Sequence, residues 1–169
     1  FTQTVVQKEG TELEPFQVIE EHEGIAAEIR RRLARCGRSL GELPVPRHPA
    51  LLVVSPKAAA QRRDRRVNCR MALLPGDTPL PGWDLQAASA VSYGAGPKNT
   101  LTLSSREDRK LWFALQRELV TVQGQVVERQ EFPWCLEQTS SPQSALAVAG
   151  ALLLLGISPE QLALPTHAS

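Results

Sequence analysis

Residues 145–155 (ALAVAGALLLL) carry no charge and no polar side chain, and that constrains the chain more than any other feature in it. Ser140-Ser141-Pro142 precedes the run: a hydroxyl cap followed by proline starts a helix. Gly156 is a natural C-terminal stop. A helix that is apolar all round has no face to give to water, so other elements must enclose it. About a dozen residues cannot cross a bilayer, which takes roughly 20. Ser158-Pro159-Glu160 then starts one more short helical turn.

The residues before this helix read as strands. Residues 87–93 (AASAVSY) form a short run of small and apolar residues that stops at Gly94-Ala95-Gly96-Pro97, a strong chain breaker. Residues 100–104 (TLTLS) alternate with period two, the half-buried strand pattern. Residues 111–122 and 126–136 flank Gln123-Gly124-Gln125 and read as a hairpin. Pro133 cannot donate to a ladder, which predicts that the last strand is an edge or ends near Phe132.

Upstream, residues 50–54 (ALLVV) are a continuous apolar run, as in a strand buried on both faces. Ser55-Pro56 caps a helix over residues 57–66, and residues 67–74 are the next strand. Strand, helix, strand predicts a parallel pair, and the strand after Asp84 extends that sheet. Residues 16–36 read as one amphipathic helix, with Val18, His22, Ile25, Ile29, Leu33 and Cys36 on its apolar face. Residues 1–15 are a loose arm or edge strand, and residues 41–49 a Pro-rich linker. The expected fold is a single α/β domain spanning residues 1–169. Its small mixed sheet, a βαβ unit followed by an antiparallel meander, is flanked by helices.

Net charge is +1 but unevenly placed. Residues 1–29 hold one basic residue against seven acidic ones, and residues 30–70 hold twelve basic against two acidic. Cys36, Cys69 and Cys135 are odd in number and widely spaced, which predicts a reducing, cytoplasmic setting. No charged-then-apolar leader is present to argue for export. There is no CxxC, and His22, His48 and His167 are scattered, so neither a metal nor a cofactor is expected.

Three candidate sites follow. Gly94, Gly96 and Lys98 have the residue types of a phosphate loop, glycines for close approach and a lysine for charge. Their spacing matches neither GxxxxGK[ST] nor GxGxxG, and a tight connection between strands is the competing reading. Ser55 and Lys57 lie at the carboxyl end of a buried strand, where open α/β sheets bind ligands; the competing reading is a helix cap. Arg30, Arg31, Arg62, Arg63, Arg65 and Arg66 have the composition of a basic face for nucleic acid. No aromatic residue interleaves between residues 30 and 70, however, so stacking platforms are missing there. Glu118, Glu128 and Glu131 are carboxylates that nothing brings together, and Cys69 and Cys135 lie in apolar runs where a thiol is inert. No catalytic residue can be nominated.

Ala90-Val91-Ser92-Tyr93-Gly94, the meander after it, and the helix from Ser144-Ala145-Leu146-Ala147-Val148-Ala149-Gly150 to Leu155-Gly156-Ile157 resemble the second half of the Mur ligase central domain. The likeness runs in order over residues 50–164. It implies an α/β fold and descent from an enzyme that acts on a nucleotide or phosphorylated substrate. The GxxGK-type ATP loop of that family is absent, and Gln143 and Ser144 replace the polar residue that precedes its alanines. The leading expectation is a bacterial-type domain that binds a partner protein or a small anionic ligand without catalysis. The alternatives are a Mur-ligase-like enzyme or enzyme remnant, and nucleic-acid binding through residues 30–66. A second copy of the chain is a further candidate partner, and no membrane is expected.

Overall fold

The computed structural model describes residues 16–36, 50–64, 66–136 and 140–163. The arm over residues 1–15, the linker over 41–49 and Arg65 lie outside them. The described residues form nine strands and four helices, in the order β1 (Phe16–Ile19), α1 (Ile25–Arg35), β2 (Leu51–Val54), α2 (Pro56–Ala59), β3 (Arg66–Pro75), β4 (Asp84–Gly94), β5 (Leu101–Glu107), β6 (Lys110–Leu115), β7 (Leu119–Val120), β8 (Val126–Val127), β9 (Gln130–Cys135), α3 (Pro142–Leu154) and α4 (Pro159–Leu162). Seven strands form one curled mixed sheet in the order β1-β2-β3-β4-β5-β6-β9. β1 to β5 run parallel, and β5, β6 and β9 continue antiparallel. This is the expected mixed α/β sheet flanked by helices.

α3 is the centre of the layer on one face. Ser141 accepts a hydrogen bond from Ser144 N at 3.0 Å, Pro142 opens the helix, and every residue from Ser144 to Leu154 is buried. The helix packs this closely because Gly150 has no side chain: a Cβ there would lie 2.9 Å from a methyl of Leu73 on β3. α1 lies beside α3 and buries Ile25, Ile29 and Leu33 in the same core. Phe113 meets Phe132 edge-on, with centroids 5.9 Å apart, and Trp134 at 5.6 Å. The Arg32 guanidinium lies 3.9 Å over Trp134, so a buried cation stacks on an aromatic face. On the opposite face, α2 buries Ala58 and Ala59 against Ile19, Leu52, Val54 and Ala72.

Three expectations are corrected. Residues 16–36 are not one helix. Phe16–Ile19 form strand β1, parallel to β2, and the helix begins only at Ile25. The chain breaks between them because His22 (φ 52°) and Gly24 (φ 71°) are both left-handed, and only Gly24 adopts that conformation freely. His22 is therefore exposed in a turn and not on an apolar helix face. The helix expected over residues 57–66 is the four-residue α2, because beyond Ala59 no apolar side chain recurs at helical spacing. The hairpin expected over residues 111–136 is two nested ladders. β6 pairs with β9, Phe113 opposite Phe132, while β7 and β8 form a separate two-stranded ladder around Gly124. Gln116 holds the branch point by donating to the carbonyls of Pro97 and Asn99. Among the described residues β9 is an edge of the sheet, and it runs on past Phe132 and Pro133 to Cys135.

The sheet is stepped. β4 pairs with β3 over Asp84–Ala87 and Ser89–Tyr93 but with β5 only at Tyr93↔Leu101 and Gly94↔Thr102. The β3–β4 ladder skips Arg70 and Ala88. Below that point Cys69 and Ala87 feed the α2 side, and above it Leu73 and Tyr93 feed the α3 side, so the two strands turn over together.

Candidate functional site at the carboxyl ends of the strands

Parallel strands bring the carboxyl ends of β1 to β4 to one rim, where an α/β sheet ordinarily binds its ligand. Two sets of backbone N–H groups point into this rim, and the chain's own carboxylates occupy both.

The first set is the N-terminus of α1. Glu20, at the end of β1 and only 3% exposed, accepts from Ile25 N and Ala26 N at 2.9 Å each and from Glu23 N at 3.2 Å. A carboxylate on these donors does for the helix what a bound anion would do. The second set is the loop after β4. Asp77, just past the end of β3, accepts from Ala95 N at 2.6 Å and from Gly96 N at 3.2 Å. Asn99 donates to the same carboxylate at 3.0 Å and to the carbonyl of Gly96. The glycines are required by proximity: a Cβ on Gly94 would lie 2.3 Å from an Asp77 oxygen, and one on Gly76 1.8 Å from the Asn99 amide oxygen.

The two expected ligand loops are tied together. The buried Tyr93 hydroxyl, at the end of β4, donates to the Val54 carbonyl at the end of β2 across 2.5 Å. Burial pushes the phenol well above its usual range, and the nearby Glu23 charge adds to that. Ser55 is fully buried and its hydroxyl accepts from Ala58 N at 3.0 Å, so it is a working helix cap. Lys57 and Lys98 are exposed, and among the described residues neither side chain makes an ion pair.

The arginines divide between two layers. Arg30 and Arg31 lie on α1, on the α3 side of the sheet, and Arg31 pairs with Glu28. Arg62 and Arg63 follow α2 and lie with Ala58 and Trp83 on the other side, and Arg66 opens β3. Arg62 lies 3.2 Å from Asp64, Arg66 donates to Asp84 at 2.9 Å, and Arg63 stacks over Trp83 at 5.4 Å. The Arg66 hydrogen bond holds the Asp84 carboxyl below its usual value, and the Gln86 amide helps. Among the described residues no group of three or more His, Cys, Asp or Glu gathers as a metal site, and no helix is long and apolar enough to cross a membrane. Cys69 is buried, and burial pushes its thiol up to about 11. Cys135 is exposed on the edge strand, contrary to its apolar sequence context, because alternation along β9 turns Phe132 and Trp134 inward and Cys135 outward.

The sequence reading missed Glu20 and Asp77. Glu20 was hidden inside the supposed helix. Asp77 was findable: parallel neighbours end side by side, so a carboxylate just past β3 reaches the N–H groups just past β4. The chain matches no protein-family model and no curated protein.

Proposed function

We propose that this chain is a non-catalytic binding domain of a cytosolic, bacterial-type protein, and that it engages another protein. One observation carries the choice of a protein over a small anion: Glu20 and Asp77 hold the backbone donors of the rim. An anionic ligand would have to displace a fixed, hydrogen-bonded carboxylate of the same charge. The same loop favours a second reading. Glycines, converging N–H groups and a nearby lysine persist after β4 with a carboxylate in the cradle, which suits a remnant of a Mur-ligase-like enzyme whose phosphate site has closed.

A thermal-shift panel tests the proposal, using nucleotides, sugar phosphates and short oligonucleotides at two salt concentrations. A ligand present at 100 times its Kd stabilises by about 2.7 kcal/mol, a plain shift for a domain this size. The proposal predicts no shift with any of them. A salt-insensitive shift with one nucleotide or sugar phosphate overturns it in favour of an active site at the rim. A shift with oligonucleotides alone that vanishes at high salt assigns nucleic acid to the arginines.

A further inference from the structure

From Asp84 to Val91 the side of β4 away from β3 has no backbone partner among the described residues, because β5 begins only opposite Tyr93. Eight residues of strand expose roughly 26 Å of unpaired N–H and C=O groups. Natural sheets blunt such edges with lysine, proline or inward charge. Residues 85–92 (LQAASAVS) contain no charge and no proline, and their small side chains leave the backbone open to approach. Asp84, at the far end, is already held by Arg66.

This edge borders a cleft of about 370 Å³. Ala88 and Ser89 of β4 line it together with Arg70 and Met71 of β3 and Ala50, and the β7–β8 hairpin adds Val120 and Val122. Val120 and its cross-strand partner Val126 are the two large hydrophobic side chains left exposed among the described residues. Arg70 is the one charged residue lining the cleft, and no ion pair neutralises it among the described residues. It lies where β3 and β4 turn over, and irregularities in a ladder often re-aim a side chain toward a site.

Resting on the partner-binding reading above, we propose that an extended peptide segment of a partner protein adds to the open edge of β4, with apolar side chains against Val120 and Val122 and an acidic residue against Arg70. Main-chain pairing would supply affinity, and the cleft would choose the side chains. The single uncompensated cation argues for a carboxylate on the occupant.

The test uses two fluorescein-labelled peptides of sequence TVTVXVTVT, with X either Glu or Lys, titrated into the whole chain. The Glu peptide is expected to bind about tenfold more tightly than the Lys peptide, and Arg70→Glu to reverse that order. Val120→Asp should weaken both. In NMR titrations the shifted amides should cluster in residues 85–91. The proposal falls if neither peptide binds, if Arg70→Glu leaves the preference unchanged, or if the shifts map elsewhere. A concentration-dependent dimer that shifts the same amides also overturns it, by making a second copy the occupant. A nucleotide shift in the thermal panel would overturn the parent reading instead, and neither peptide result can produce it.

Discussion

The rim of the sheet and the side of β4 pose the same problem and answer it oppositely. Both present backbone donors that need partners. At the rim every backbone donor named above meets a side chain of the chain itself: Glu20 for α1, Asp77 for the loop after β4, and Ser55 for α2. Along Asp84–Val91 no side chain or strand among the described residues takes that role. A polar edge that a protein closes internally serves its own stability, whereas one left open is available to something else. Among the described residues the usual ligand rim of an α/β sheet is therefore the closed region, and the side of β4 away from β3 is the open one.

Both regions hang from α3, so the largest test removes their common support. Leu153→Asp should cost about 4 kcal/mol or more, because it buries an unpaired charge. A domain at the low end of the typical margin of about 5–15 kcal/mol would then be barely folded. A circular-dichroism melt that matches wild type would contradict the enclosure of α3. Next come the two plugs. Glu20→Ala should cost about 2 kcal/mol, since it orphans buried donors at Ile25 and Ala26. Asp77→Ala should cost about 1 kcal/mol, because its loop is more exposed and water replaces part of what is lost. Chemical denaturation measures both, and a neutral result at either would mean that the plug is decorative. On the open side, Ser89→Lys should change stability by no more than about 0.5 kcal/mol, as surface substitutions do. A large loss there would show that the edge is covered after all.

The smallest effect separates interior from edge without touching stability. A thiol reagent at neutral pH should modify Cys135 rapidly and leave Cys69 unmodified in the folded chain. Cys69 is buried with its pKa raised to about 11, and the thiolate is the reactive form. Cys135→Ser should remove the fast phase. Rapid labelling of Cys69 would mean that the α2 side opens readily.

The apolar run of α3 was legible because nothing but burial can satisfy eleven consecutive non-polar residues. The parallel pairing of β2 and β3 was legible from the order of apolar runs. β1 was not, because Phe16, Val18 and Ile19 fit a helical stripe as well as a strand, and the deciding breaks at His22 and Gly24 are backbone conformations that periodicity does not see. At the rim, the glycines Gly94 and Gly96 stand out in the sequence, but not the Asp77 carboxylate that approaches both, because it lies on a different strand's loop. The basic composition of residues 30–66 was plain, yet sequence proximity does not say that α1 and α2 cover opposite faces of one sheet. The open edge of β4 could not be read at all, since it depends on where β5 begins relative to Tyr93.

Native-state hydrogen exchange, resolved by residue, tests the contrast most directly. The amides of Ile25, Ala26, Ala95 and Gly96 should be protected by the carboxylates they donate to. Between Leu85 and Val91 slow and fast amides should alternate, the slow ones bonded to β3 and the fast ones facing away. Uniform protection along β4 together with fast exchange at Ala95 and Gly96 would contradict the account, for the rim would then be open and the edge closed.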